Sequence, residues 1–197
     1  MVMMRVGVTG NIGSGKTTVC QLFRQLGVPV YYADERGKYF LKTPDVRNAI
    51  RDAFGDRVLN GEGGIDRKKL ASLVFSDRKR LSQLNALIHP LVRSDFQRWA
   101  AKQTGAPYVI QEAAILIESG QHKYLDKIIL VQAPEAVRIK RVCERDGASA
   151  DQVRQRAKHQ MPEAEKGKHA DLIIVNDGQQ ALIPQVNDIH RTLCSQA

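Results

Sequence analysis

The glycine loop near the N-terminus constrains the fold more than any other stretch of this sequence. It reads GVTGNIGSGKTT, residues 7–18, and places four glycines within nine positions. Glycine loses more conformational freedom on folding than any other residue, so such a loop indicates unusual dihedral angles or the close approach of a ligand. Residues 10–17 match the pattern G-x-x-x-x-G-K-[ST] completely. The loop follows a predicted strand, residues 5–9, and opens a predicted helix, which is the context in which this motif binds phosphate.

The loop residues predict the donor half of a phosphoryl transfer. Backbone N–H groups of such a loop cradle phosphate oxygens, and the new helix adds its positive end. Lys16 is expected to reach the β- and γ-phosphates, and the Thr17 hydroxyl to ligate Mg²⁺ that is bound with ATP. The glycines at 10, 13 and 15 do not fit GxGxxG, which argues against a dinucleotide site. The predicted ATP-binding residues of the loop are Asn11, Ile12, Gly13, Ser14, Gly15, Lys16, Thr17 and Thr18.

Five β-rich segments predict an α/β fold with a five-stranded parallel sheet. Several are nearly continuous apolar runs, as expected of parallel strands that are buried on both faces. Segments with helical periodicity separate them, which indicates a doubly wound arrangement. After the glycine loop, Val19, Leu22, Phe23 and Leu26 share one helix face, and Gly27 is expected to end that helix. The predicted strands are residues 5–9, 28–33, 108–112, 127–131 and 171–175.

The spacing of the strands predicts a helical insertion and a lid on a single kinase unit. The stretch between the second and third strands contains several helical patterns: 44–54, 67–75 with Asp66 as N-cap, 78–87, and 90–102 with Pro90 in its first turn. Residues 137–160 are helical and basic, with a break at Asp146-Gly147. We expect a nucleotide-binding core at 1–40 and 105–197, a helical acceptor subdomain at 41–104 and a mobile lid at 137–160. The simpler alternative is extra packing around a large sheet.

Charge and composition narrow the class of partner. The 197 residues carry a formal net charge of +9, which attracts polyanions. Aromatic residues make up only 6% and do not interleave with the basic ones, which argues against a base-stacking surface. The sequence has no NKxD guanine motif, no run long enough to span a membrane, and an opening unlike a signal peptide. Three scattered cysteines indicate reduced thiols, so we expect a cytoplasmic protein without a nucleic-acid or membrane partner.

Further residues are candidates for the acceptor and the lid. Asp34 follows the second predicted strand, where ligands of open α/β sheets bind, and it suits a general base or a Mg²⁺ contact. The alternative for Asp34 is an N-cap for residues 35–41. Arg141 and Arg145 lie four residues apart, with Arg138 one turn earlier, and guanidinium groups suit a transferring phosphoryl group. The alternative there is a solvated basic face. His89, by itself, is more typical of a structural role.

The ordered set of motifs resembles the dephospho-CoA kinase family over nearly the whole chain. The resemblance rests on GVTGNIGSGKTTV, GVPV followed by Ala33-Asp34, LNALIHP at residues 84–90, the segment from Pro134 to Arg145-Asp146-Gly147, Gln160, and Ala170-Asp171 before Asn176-Asp177-Gly178. It implies transfer of the ATP γ-phosphoryl group to the ribose 3′-hydroxyl of dephospho-CoA, with a core sheet, a helical CoA domain and a lid. It also implies a function for three residue groups: catalytic Asp34, Lys16 and Arg141; ATP-binding Arg145 and Asn176; acceptor-binding Asp34, Lys38, Asn85, His89 and Glu118.

Some positions depart from the family pattern. Tyr32 stands where the family has the first Asp of DAD, and Ala114-Ile115-Leu116 stand for the usual Pro-Leu-Leu, after Gln111-Glu112. Lys38 stands where arginine is common. Whether Glu112 takes over a carboxylate role lost at Tyr32 stays open. The partners implied are ATP and dephospho-CoA, and a monomer or weak homo-oligomer is expected. Two alternatives are a kinase for another small acceptor and a basic nucleic-acid-binding ATPase.

Overall fold

The β-rich segments form one sheet in the order β2-β3-β1-β4-β5, and all neighbouring strands are parallel. This computed structural model describes residues 3–75 and 77–197. Met1 and Val2, which begin the N-terminal segment predicted to be unlike a signal peptide, lie outside the described residues. The prediction of five parallel strands is confirmed. The strands are β1 Met4–Thr9, β2 Val30–Tyr32, β3 Tyr108–Glu112, β4 Lys127–Gln132 and β5 Leu172–Val175.

The chain divides into two compact units. The first comprises residues 3–32 and 99–197 and contains the sheet; the second comprises 33–98 and is helical, within the described part of the chain. None of the helices in residues 3–75 and 77–197 is both long enough and apolar enough to cross a bilayer.

Apolar strands and two helices build the core of the first unit. Val6, Val8, Ile110 and Ile129 are fully buried, as expected for strands with two covered faces. Helices α1 (Lys16–Gln25) and α9 (Leu182–Gln196) pack against each other and contribute to the same core. The loop between β1 and α1 is therefore held by the rigid centre of this unit.

The helix after the glycine loop differs in detail from its predicted face. Val19, Cys20 and Phe23 are its buried residues, whereas Leu26 lies beyond the helix and is 39% exposed. Leu26 is the C-cap of the helix, and its N–H still donates to the Leu22 carbonyl at 3.3 Å, but its side chain does not join the buried face. Gly27 has φ 83° and its N–H donates to the Arg24 carbonyl, so the predicted terminating role of Gly27 is confirmed.

The predicted helical stretch at 137–160 consists of two helices with the expected break. Helix α6 (Glu135–Asp146) ends at Gly147, whose φ is 64°, and α7 (Ala150–Ala157) begins with a capping box of Ser149 and Gln152. A short α8 (Glu163–Gly167) leads to β5. A 3₁₀ helix, Gln121–Tyr124, precedes β4.

The second unit packs four helices around its own apolar cluster. They are α2 (Ala33–Phe40), α3 (Pro44–Phe54), α4 (Arg67–Phe75) and α5 (Arg78–Ala100), with a 3₁₀ turn at Asp56–Val58. Pro44 occupies the start of α3, and Asp66 caps α4 through Oδ1, which accepts the N–H groups of Lys68 and Lys69. These hydrogen bonds hold the pKa of Asp66 below its usual value. The cluster comprises Val46, Ile50, Phe54, Val58, Leu70 and Val74.

Two helix boundaries differ from the prediction. Residues 78–87 and 90–102 were expected to be separate helices, but α5 is continuous from Arg78 to Ala100 with Pro90 inside it. Pro90 lacks an N–H, so the carbonyl of Ala86 loses its helical partner. Leu84 and Leu87 before the proline pack against the cluster, and Val92 after it is buried, so packing on both sides offsets that loss. Likewise α2 starts at Ala33, which puts Asp34 inside the first turn rather than at the N-cap.

Candidate active site

Two glycines of the loop are required by backbone conformation and by neighbouring protein atoms. Gly13 and Gly15 have φ values of 80° and 90°, which L side chains rarely adopt. A Cβ atom at Gly13 would lie 2.4 Å from the carbonyl oxygen of Arg138, and one at Gly15 would lie 2.1 Å from Nδ2 of Asn176. The loop is therefore enclosed on one side by the chain itself.

The Lys16 side chain contacts the start of the glycine loop. Its Nζ lies 2.9 Å from the carbonyl oxygen of Gly10 and 3.4 Å from that of Asn11. The Asn11 carbonyl also accepts the N–H of Ser14 at 3.0 Å. The ammonium group therefore lies over the loop, where it fits the predicted contact with the β- and γ-phosphates.

The beginning of α1 suits an anion. Gly15 is the N-cap and provides no side-chain oxygen, so no capping side chain covers the first-turn N–H groups. Thr17 and Thr18 are exposed in that first turn. Two buried oxygens beside them, Oδ1 of Asn11 and Oγ of Ser14, have no hydrogen-bond partner in the described part of the chain. A helix start without a capping side chain, together with these two unpaired oxygens, fits a polar ligand such as a triphosphate.

Asn176 and Arg141 connect α6 to the loop. Arg141 donates from Nη1 to the Asn176 carbonyl at 3.0 Å and from Nη2 to its Oδ1 at 3.1 Å. Nδ2 of Asn176, which is buried, donates to the Ser14 carbonyl at 2.8 Å. The structure thus brings together Arg141, Asn176 and the loop, three of the predicted site elements.

The other two arginines of α6 have different partners. Arg138 is buried and its Nε donates to the Ala133 carbonyl at 3.0 Å, which fixes the start of the helix. The Arg145 side chain is 64% exposed and lies 2.7 Å from Asp146. This hydrogen bond raises the pKa of Arg145 and lowers that of Asp146. Arg141 and Arg145 therefore have distinct environments here, although both lie on α6.

The segment after α7 also reaches the loop, through Gln160. Its Oε1 accepts the Ile12 N–H at 2.8 Å, so that N–H already has a partner although Ile12 was predicted to bind ATP. The next residue, Met161, donates its N–H to Oε1 of Glu118 at 2.9 Å. Sequence reasoning noted Gln160 only as part of the family pattern. Nothing in the sequence indicated a contact across 148 positions.

Lys166 is a buried charge that sequence reasoning missed. Its side chain is fully buried, and Nζ lies 2.8 Å from the Ala114 carbonyl and 3.0 Å from Oε1 of Glu118. Burial lowers the pKa of Lys166, and the nearby Glu118 carboxylate opposes that shift. Glu118, predicted to bind the acceptor, is thus held in the first unit by Lys166 and Met161.

The carboxylate at the end of β3 is Glu112, which is buried at 7% exposure and stands in register with Val8 and Tyr32. Across residues 3–75 and 77–197, no group of three or more His, Cys, Asp or Glu side chains forms a metal cage. Mg²⁺ typically binds through one or two protein ligands plus substrate phosphates and water. The Thr17 hydroxyl and bound phosphates therefore fit this ion better than a site made of protein alone.

The remaining acceptor candidates lie in the second unit. Asp34 and Lys38 are exposed and one turn apart on α2, and Asn85 and His89 are partly buried and one turn apart on α5. Arg36 of α2 pairs with both oxygens of Asp95 of α5, at 2.8 and 3.1 Å.

The electrostatic environment of His89 connects it with Asp34. Burial lowers the pKa of His89, and the charge of Asp34 acts in the opposite direction. His89 is therefore mainly neutral at neutral pH, and it can accept a hydrogen bond at one ring nitrogen and donate one at the other.

Comparison with known proteins places the chain in one family. A sequence model of dephospho-CoA kinase matches residues 4–181. A protein of Bacteroides fragilis named dephospho-CoA kinase is 39% identical over 187 residues, covering 94% of this chain and 91% of its own. A crystal structure of a Thermus thermophilus protein superposes with TM-score 0.86 at 34% identity and covers 100% of this chain and 98% of its own. Dephospho-CoA kinase from Campylobacter jejuni gives TM-score 0.68 at 25% identity, covering 98% of both chains.

Proposed function

The chain belongs to the dephospho-CoA kinase family, and we propose that it transfers the γ-phosphoryl group of ATP to the ribose 3′-hydroxyl of dephospho-CoA, giving CoA and ADP. The observation that carries this proposal is the complete phosphate loop between β1 and α1, in a chain that matches the family model over residues 4–181. The protein is a P-loop kinase in fold and a phosphotransferase by family.

We assign the donor side to the first unit. The N–H groups of the loop and of the first turn of α1 are proposed to bind the phosphates, with Lys16 moving from the Gly10 carbonyl to the β- and γ-phosphates. The hydroxyl of Thr17 would hold Mg²⁺, which neutralises charge on the phosphate oxygens. Arg141, already beside the loop through Asn176, is proposed to stabilise the charge that spreads over the transferring group.

We assign the acceptor side to residues of the second unit. Asp34 is proposed to accept the proton of the 3′-hydroxyl, or to orient that hydroxyl for attack. Lys38, Asn85 and His89 are proposed to contact dephospho-CoA. The acceptor-binding role of Glu118 and the CoA-binding role of the helical insertion stay predictions. The lid role of residues 137–160, with Arg145 as an ATP contact, is likewise a proposal. Such a lid would exclude water and so protect the γ-phosphoryl group from hydrolysis.

The test is ADP release by the purified protein with MgATP and a panel of acceptors. Dephospho-CoA should give the highest kcat/KM. The product, identified by mass spectrometry, should be CoA, which is dephospho-CoA with a phosphate on the ribose 3′-oxygen. A nucleoside monophosphate or a sugar acid as the preferred acceptor would reject the proposal. ATP hydrolysis that requires DNA or RNA would favour the nucleic-acid alternative. Omission of Mg²⁺ should abolish turnover. A cytoplasmic location and a monomer or weak homo-oligomer stay predictions.

A further inference from the structure

The peptide unit between Asn11 and Ile12 is held at both of its polar ends. Its carbonyl oxygen, on Asn11, accepts the Ser14 N–H at 3.0 Å and lies 3.4 Å from Nζ of Lys16. Its N–H, on Ile12, donates to Oε1 of Gln160 at 2.8 Å. Rotation of this peptide plane would break contacts on both sides. The orientation of one peptide in the loop is therefore linked to the place of the Lys16 ammonium group.

Gln160 is itself fixed by what surrounds it. The adjacent N–H of Met161 donates to Glu118, and Glu118 is paired with the fully buried Lys166. Lys166 in turn donates to the Ala114 carbonyl in the loop after β3. The side chain that receives the Ile12 N–H therefore extends from a backbone that is fastened to the first unit, and its amide is not a freely moving surface group.

Helix α6, which precedes Gln160 in the chain, touches the loop at further points. The Arg138 carbonyl lies against Gly13, and Arg141 holds the Asn176 side chain that donates to the Ser14 carbonyl. Ile12, Gly13 and Ser14 thus each have a neighbour that belongs to residues 138–160 or is held by them. A change in the position of this segment changes the environment of three successive loop residues.

We propose that Gln160 is a positioning residue for ATP: by holding the Ile12 N–H it fixes the Asn11–Ile12 peptide, and through that peptide it sets the place of Lys16 and of the loop N–H groups that receive the phosphates. This inference rests on the proposed function only in that the loop binds the triphosphate of ATP. In this proposal Gln160 couples the position of the segment after α7 to the conformation of the phosphate loop.

The test compares Gln160→Met with Gln196→Met. Methionine keeps the length of the side chain and removes the acceptor. Gln196 is an exposed residue of α9, outside the proposed lid, and makes a matched control. Loss of one hydrogen bond predicts that Gln160→Met weakens binding of a non-hydrolysable ATP analogue, and raises KM for ATP, by roughly fivefold. KM for dephospho-CoA should be unchanged, and Gln196→Met should match the wild type in all three measurements.

Three results would overturn the proposal. They are an unchanged affinity of Gln160→Met for the analogue, an equal loss in Gln196→Met, and a rise in KM for dephospho-CoA alone. If Gln160→Met fails to fold, amide exchange of the wild type decides: the Ile12 N–H should be protected, and exchange at the rate of an unbonded amide rejects the contact. Absence of wild-type turnover with dephospho-CoA would reject the proposed function, whereas the analogue-binding comparison would still test Gln160.

Discussion

Replacement of Lys166 by methionine tests how a buried charge supports the elements around the phosphate loop. The Lys166 side chain is fully buried, and its ammonium group donates to the Ala114 carbonyl at 2.8 Å and to Glu118 at 3.0 Å. Methionine keeps the length and most of the apolar contacts and removes both hydrogen bonds. We expect the variant to fold with a reduced free energy of unfolding.

The magnitude follows from opposing effects. Removing one partner of a buried ion pair typically costs about 3–5 kcal/mol, because the remaining charge is left without compensation. Here Glu118 is 20% exposed and keeps the N–H of Met161, so water and one donor still solvate its carboxylate. Methionine also avoids the desolvation of an ammonium group. We therefore expect a loss of about 2–3 kcal/mol, below the range for a completely isolated charge.

Urea unfolding followed by tryptophan fluorescence is a suitable assay. Trp99 is the only tryptophan of the sequence and belongs to the same unit as Lys166. Its fluorescence therefore reports the unfolding of the unit that contains the substitution. Lys140→Met is the control, because the Lys140 side chain is 77% exposed and its pair with Glu144 is expected to contribute about 0–1 kcal/mol. A Lys166→Met variant as stable as the wild type would refute the reasoning.

The same comparison gives a pH dependence with a defined sign. Burial lowers the pKa of Lys166 in the folded protein. Between that lowered pKa and the ordinary value the unfolded chain binds more protons, so the free energy of unfolding contributed by Lys166 rises with pH. The wild type should therefore gain stability relative to Lys166→Met as the pH approaches about 10.4. A decrease of the difference over that window would mean that the ion pair with Glu118 outweighs burial.

Three further predictions concern the loop, the acceptor and the core. Gly13→Ala must place a non-glycine residue at φ 80° with its Cβ 2.4 Å from the Arg138 carbonyl, so we expect affinity for an ATP analogue to fall by more than about tenfold, measured by titration calorimetry; near-normal affinity would contradict the steric argument. Asp34→Asn should lower kcat by about 10²-fold or more while KM for ATP changes little in steady-state assays, and a near-normal kcat would reject the base assignment. Burial raises the pKa of Tyr108 far above its usual value; since the folded state favours the protonated phenol, wild-type stability should fall above about pH 10 more steeply than that of Tyr108→Phe, and parallel pH curves would count against this shift.

The sequence predicted those parts of the fold that depend on local pattern. The strand before the glycine loop, the helix after it, the capping role of Asp66 and the break at Gly147 all follow from residues within a few positions of one another. The error at Pro90 has a different origin. Local rules end a helix before proline, but Leu84 and Leu87 before Pro90 pack against the apolar cluster of the second unit and Val92 after it is buried, so α5 stays continuous.

The glycines of the loop show why the site was only partly predictable. Sequence reasoning explained them by the approach of a ligand, and that interpretation concerns the face of the loop that binds phosphate. Gly13 and Gly15 are also needed where the Arg138 carbonyl and the Asn176 amide approach the backbone. Both neighbours lie more than 120 positions away in the sequence, and it is the packing of α6 and of the segment after β5 that brings them to the loop. The motif therefore encodes the requirement for space, whereas the residues that use that space are determined by tertiary packing. The same holds for Gln160, whose hydrogen bond with Ile12 joins residues 148 positions apart.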